Sequence, residues 1–130
     1  MKFAGKDTLI KYFGYLDKAL ILTNEKKYDD AVRYFEKSAE YARNLSDPRY
    51  MGSVYGELAK LYEQMGQKDS ALYYFHVNTT YTQKHNLMYM LIESLKALDA
   101  YMNKKVMKTN LYITKAVTWL SPIHYSVWTN

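Results

Sequence analysis

The chain has 130 residues, a formal net charge of +5, 48% apolar and 24% charged residues, the size and balance of one small globular domain or a short array of repeats. It contains no cysteine, which excludes a disulfide framework, thiolate metal sites and thiol nucleophiles. No stretch reaches the roughly 18 apolar residues of a membrane span, and the first ten residues, with Lys2, Lys6 and Asp7, lack the apolar run of a secretion signal. The sequence therefore reads as a soluble chain, expected in the cytoplasm, although the lack of cysteine does not separate that compartment from the periplasm.

Apolar residues recur at helical spacing throughout. Leu9, Phe13, Leu16 and Leu20 fall at i, i+4, i+7 and i+11 and predict the core face of a first helix, with Asp7 as its N-cap and Asn24 as its stop. A second helix, from about Tyr28 to Leu45, carries Ala31, Phe35, Ser38, Ala42 and Leu45 on one stripe. Asp47-Pro48 is a start signal: the carboxylate caps, and proline sits where its missing N–H is no loss. Met51, Val54, Tyr55, Leu58, Leu61, Tyr62 and Met65 then mark a third helix ending at Gly66, a left-handed C-cap. A fourth opens at Lys68 or Asp69 and bears Ala71, Leu72, Phe75 and Thr79, with weak propensity over 78–82. After His85-Asn86 a fifth shows Met88, Leu91, Ile92, Leu95, Leu98 and Met102, and a sixth shows Val106, Ile113, Val117 and Leu120 before Ser121-Pro122. Short connections between such helices imply antiparallel hairpins, here about 7–45, 47–85 and 87–120 with a tail over 121–130. No segment reads as a strand, so the fold class is all-α.

A shift of 40 residues lays the first hairpin on the second. Tyr15 meets Tyr55, Ala19 meets Ala59, Asp29 meets Asp69, Ala31 meets Ala71, Tyr34 meets Tyr74 and Phe35 meets Phe75. A period of this size signals stacked helical repeats. The paired alanines fit where the helices of one hairpin cross, and the phenylalanines fit between hairpins. Tyr55, Leu58-Ala59, Tyr62, Gly66, Ala71 and Phe75 fall in the order and spacing of the tetratricopeptide signature, and the chain resembles that family over about residues 9–120. In the first hairpin Lys18, Leu22 and Lys26 replace the signature Leu, Tyr and turn Gly. In the third, a 36-residue offset puts Leu91, Leu95, Leu98, Met107 and Leu111 at signature positions, as a divergent repeat or a capping pair. The resemblance implies a right-handed superhelix of about three hairpins, an α-solenoid. The long linker around Asn44–Arg49 also resembles arrays in bacterial signalling proteins, which implies a segment of a larger regulator.

Catalytic patterns are lacking in the sequence. His76, His85 and His124 have no metal-ligand spacing, Asp29-Asp30 and Glu36 with Glu40 read as solvated faces, and Gly52, Gly56 and Gly66 form no phosphate loop. Neither enzyme activity, cofactor nor metal is expected. Met51, Met65, Met88 and Met102 fall on apolar stripes and read as core. Tyr15, Tyr55 and Tyr62 also read as core, whereas Tyr12, Tyr50, Tyr73 and Tyr89 are expected at the surface.

The resemblance further implies that the first helix of each hairpin lines a groove for a protein or peptide. Its lining would be Phe13, Leu16 and Leu20, then Ser53, Gly56, Lys60 and Gln64, then Tyr89, Ile92 and Lys96. An apolar entry followed by lysines suits an extended or helical peptide with acidic character, while Phe13 and Leu16 could equally pack against a preceding repeat. Leu16 and Leu20 stand where members that clamp a terminal carboxylate carry Lys and Asn, which disfavours a chaperone co-factor. Two other readings stay open: an architectural piece that self-associates into a homo-oligomer, and an RNA-binding repeat, disfavoured because the basic residues are dispersed.

Overall fold

The computed structural model describes residues 5–103. Four helices are complete: α1 Lys6–Asn24, α2 Tyr28–Arg43, α3 Pro48–Gln64 and α4 Lys68–Lys84. A fifth, α5, occupies residues 88–103, and no strand occurs among the described residues. The chain divides into two compact units, Met1–Leu95 and Lys96–Asn130. The described part of the second unit, residues 96–103, is helical. The expected sixth helix from Val106 to Leu120 and the tail over 121–130 lie outside the described residues.

In the first unit α1 packs on α2, α3 on α4, and α2 on α3. This is a stack of antiparallel hairpins, the all-α helical-repeat solenoid class expected from the sequence. The small residues work as the 40-residue repeat predicts. Ala19, Ala31, Ala59 and Ala71 have no accessible surface, and Phe35 and Phe75 are almost as deeply buried. Without bulk beyond a methyl at those crossings, the paired helix axes can approach closely. Phe35 joins Ala31, Ala39 and Ala42 of α2 to Met51, Val54, Leu58 and Leu61 of α3 in one core cluster.

The turns repeat as faithfully as the core. After α1, the Lys27 amide donates to the Leu22 carbonyl (2.9 Å) and the Lys26 amide to Thr23 (3.0 Å). The same pair of bonds follows α3, from Gln67 to Tyr62 and Gly66 to Glu63, and follows α4, from Leu87 to Thr82 and Asn86 to Gln83. Each is a Schellman turn, which needs one left-handed residue; Lys26 (φ 62°), Gly66 (φ 73°) and Asn86 (φ 56°) supply it. Lys26 holds that conformation against its own β-carbon. Lys26→Gly should therefore raise stability by about 0.5–1 kcal/mol, read as a higher midpoint in thermal denaturation. An unchanged or lower midpoint would mean the strain is balanced elsewhere.

The link between α2 and α3 differs. Asp47 is extended (ψ 116°) and its carboxylate accepts the Arg49 amide, with Pro48 opening the helix, as its sequence predicts. Arg49 also closes on the same carboxylate (2.6 Å), and these bonds hold the Asp47 carboxyl below its usual range.

Four expectations are corrected. Asp7 lies inside the first turn of α1, and Gly5 occupies the cap position without a side-chain bond; the carboxylate still faces the positive end of the helix dipole. The deepest face of α1 is Tyr12, Ala19 and Leu22, rotated from the stripe through Phe13 and Leu20, because α1 carries apolar residues on more than one face. Tyr12 is thus core, 1% exposed, and Tyr50 is half-buried, while Tyr73 and Tyr89 are at the surface as expected. Among the methionines Met51 is buried and Met65 half-buried, but Met88 and Met102 are exposed: the apolar stripe of α5 is wider than the side it buries.

Candidate functional site

The first helices of successive hairpins are neighbours, and Tyr12 makes the junction between α1 and α3. Its hydroxyl donates to the Tyr50 carbonyl (2.9 Å). Its ring meets Tyr50 edge-on at 5.1 Å, and Phe13 meets Tyr50 at 5.9 Å. Burial pushes the Tyr12 phenol up to about 12; a hydrogen bond with Ser53 opposes this, and Tyr50 and Glu57 add to it. On the other side of α3, a β-carbon at Gly52 would lie 2.9 Å from the Met90 methyl. Glycine there lets residues 88–95 of α5 come close to α3.

The sequence-predicted groove residues fall on these helices with unequal access. Phe13 is 44% exposed, while Leu16 and Leu20 are half-buried against the core cluster. Ser53 is half-buried and donates to the Arg49 carbonyl (3.1 Å). Gly56 turns its α-carbon toward the second helix of its own hairpin: a β-carbon there would touch the Asn78 amide nitrogen at 3.4 Å. Lys60 and Gln64 are exposed, and the Lys60 ammonium lies 3.6 Å from the Glu57 carboxylate. Tyr89 and Ile92 are exposed at 78% and 47%. Lys96 is exposed and begins the second unit.

Three contributors escape the sequence pattern. Tyr50 and Tyr12 were assigned to the surface, yet their rings join α1 to α3. Glu57 partly neutralises Lys60, a pairing visible in its i, i+3 spacing. A repeated aromatic contact was also legible: Tyr41 and Tyr81 are 40 residues apart, and Tyr15–Tyr41 (5.6 Å) recurs as Tyr55–Tyr81 (5.3 Å).

In α3 the residues that join the core cluster shared with the first hairpin are Met51, Val54, Leu58 and Leu61. Forty residues earlier stand Lys11, Gly14, Lys18 and Ile21, all exposed.

Among the described residues no group of three or more His, Asp or Glu could hold a metal ion, and no helix is long and apolar enough to cross a membrane. Residues 14–76 match a family model described as tetratricopeptide repeat. No curated protein and no solved structure matches the chain.

Proposed function

We propose that this chain, which belongs through its residues 14–76 to the tetratricopeptide repeat family, is a protein- or peptide-binding scaffold whose ligand lies along the first helices of its hairpins. Repeats of this family are non-catalytic and generally mediate protein–protein contacts. The observation that carries the reading is the exposure of Phe13, Tyr89 and Ile92 on helices that are successive neighbours, flanking Lys60 and Gln64. Bulky apolar residues held in the open on rigid helices are the anchors a helical or extended peptide uses.

The charge side of the reading is narrower than the sequence implied. Lys60 already faces Glu57, so apolar anchoring leads and attraction for acidic residues follows. The proposed groove runs from Phe13, Leu16 and Leu20 through Ser53, Lys60 and Gln64 to Tyr89 and Ile92. The long linker before α3 supports a place within a larger regulatory protein.

Selection from a random peptide display library tests the reading. Peptides selected on the wild-type chain should lose about tenfold or more in affinity for a Phe13→Ser/Ile92→Ser variant of unchanged helix content. Equal binding to both would discard the groove.

A second reading is self-association through α5, where Met88, Ile92 and Leu95 are exposed at i, i+4 and i+7. Size-exclusion chromatography across a concentration series decides it, a constant monomer ruling it out.

A further inference from the structure

We infer that the cleft between the end of α2, its linker to α3 and the end of α4 is a binding site for an aromatic carboxylate, separate from the groove. The cleft measures about 330 Å³, at the small end of ligand-sized pockets. Leu45 and Met51 supply apolar lining, Tyr55 and Tyr81 an aromatic wall, His85 extends that wall, and Arg43 lines the same cleft.

The wall is rigid. Tyr55 and Tyr81 meet edge-on at 5.3 Å, and the His85 ring lies 4.3 Å from Tyr81. An aromatic ring entering there meets ring edges and faces already fixed in the arrangements aromatics prefer. Burial raises the Tyr81 phenol above its ordinary value.

The charge comes from Arg43. The chain has three arginines; Arg33 is paired with Asp30 and Arg49 with Asp47. Arg43, the last residue of α2, has no carboxylate partner among the described residues. An arginine lining a cleft of mixed polar and apolar surface offers a ready fork for a carboxylate.

The equivalent contact in the first hairpin gives the contrast. There the Tyr15–Tyr41 pair carries its own cations, Lys11 over Tyr41 at 5.8 Å and Lys37 over Tyr15 at 5.6 Å. Forty residues later these two lysines are Met51 and Val77. The second aromatic pair has therefore exchanged cation cover for an apolar surface, while Arg43 supplies charge from the neighbouring hairpin.

Two-dimensional amide NMR of the full chain tests this with 3-phenylpropionate, its neutral amide 3-phenylpropionamide, and N-acetylphenylalanine as the analogue of a peptide's end. Saturable shifts at Arg43, Ser46, Met51 and His85 are expected with the two acids, and about tenfold weaker binding with the amide. Tighter binding of N-acetylphenylalanine assigns the site to a peptide terminus, and tighter binding of 3-phenylpropionate to a free acid. Arg43→Gln, on an exposed side chain, should keep the melting temperature and abolish the preference for acid over amide. Absence of saturable shifts, an Arg43→Gln variant that still prefers the acid, or shifts confined to Phe13, Lys60 and Ile92 would overturn the inference. The last result would leave the groove reading standing.

Discussion

Replacing Phe35 by alanine should destabilise the first unit by about 3–5 kcal/mol, the range for deleting a fully buried phenylalanine. Phe35 is 1% exposed, and its cluster spans both hairpins. Stability in a helical repeat is the sum of what each hairpin holds alone and what each interface adds. The substitution strikes the interface term between α2 and α3, leaving the Ala19 and Ala31 crossing inside the first hairpin intact. Against the 5–15 kcal/mol typical of a domain, such a loss is enough to uncouple the hairpins. Urea denaturation followed by circular dichroism should show an earlier midpoint and a shallower transition. A loss below about 1.5 kcal/mol would mean the cavity collapses, and that Phe35 fills space without joining the hairpins.

The second large effect depends on pH and belongs to Tyr12. Its phenol is ordinarily near 10.0 and is pushed up to about 12 in the fold, chiefly by burial. The neutral form is the one the fold favours. Its contribution is therefore complete below about pH 10 and is lost as pH rises toward 12. Two units correspond to about 2–3 kcal/mol of lost stability. Lysines and other tyrosines also respond to alkali, so the informative quantity is the difference between wild type and Tyr12→Phe. Near neutrality the variant should be weaker by about 1 kcal/mol, the hydrogen bond to the Tyr50 carbonyl being gone. Toward pH 12 the difference should shrink and reverse. A difference constant with pH would refute the assignment.

The sequence was most legible where one residue type has one physical use. Asp47-Pro48 and Gly66 fixed a start and a stop because a cap, an N1 proline and a left-handed glycine have few other roles. The alanine and phenylalanine correspondences likewise gave the crossings and the inter-hairpin filling. Periodicity failed on α1, where Ile10, Phe13 and Ile21 remain exposed and apolar residues on several faces leave the phase undetermined. The 40-residue match at Ala19 held the missing phase, since it places Tyr12 and not Phe13 on the inner side. Lys26 shows the opposite case: the signature glycine is gone, yet the turn persists because its backbone bonds outweigh the strain.

Groove positions were legible only as a family register carried over. That register gave the helices and the exposed Tyr89 and Ile92, but it carried no information on Glu57 beside Lys60, or on Asn78 beneath Gly56. The first pairing shows only in its i, i+3 spacing, and the second depends on a neighbour from another helix that a one-dimensional pattern does not contain. The cleft at Arg43 was still less visible, because it joins residues 42–55 to Tyr81 and His85, some thirty residues further along the chain.

The repeated tyrosine contacts have an optical consequence. Both tryptophans, Trp119 and Trp128, lie beyond the two hairpins, whereas Tyr62 and Tyr74 stack at 5.4 Å with planes 3° apart, and the Tyr15–Tyr41 and Tyr55–Tyr81 contacts fix four more rings. Rings held in such chiral pairs give a near-ultraviolet dichroic band that vanishes when packing loosens, even while helix signal persists. Tyrosine dichroism thus reads the seating of the hairpins, and tryptophan emission reads the C-terminal segment. One unlabelled sample reports on both, and whether the two transitions coincide measures the cooperativity of the chain directly.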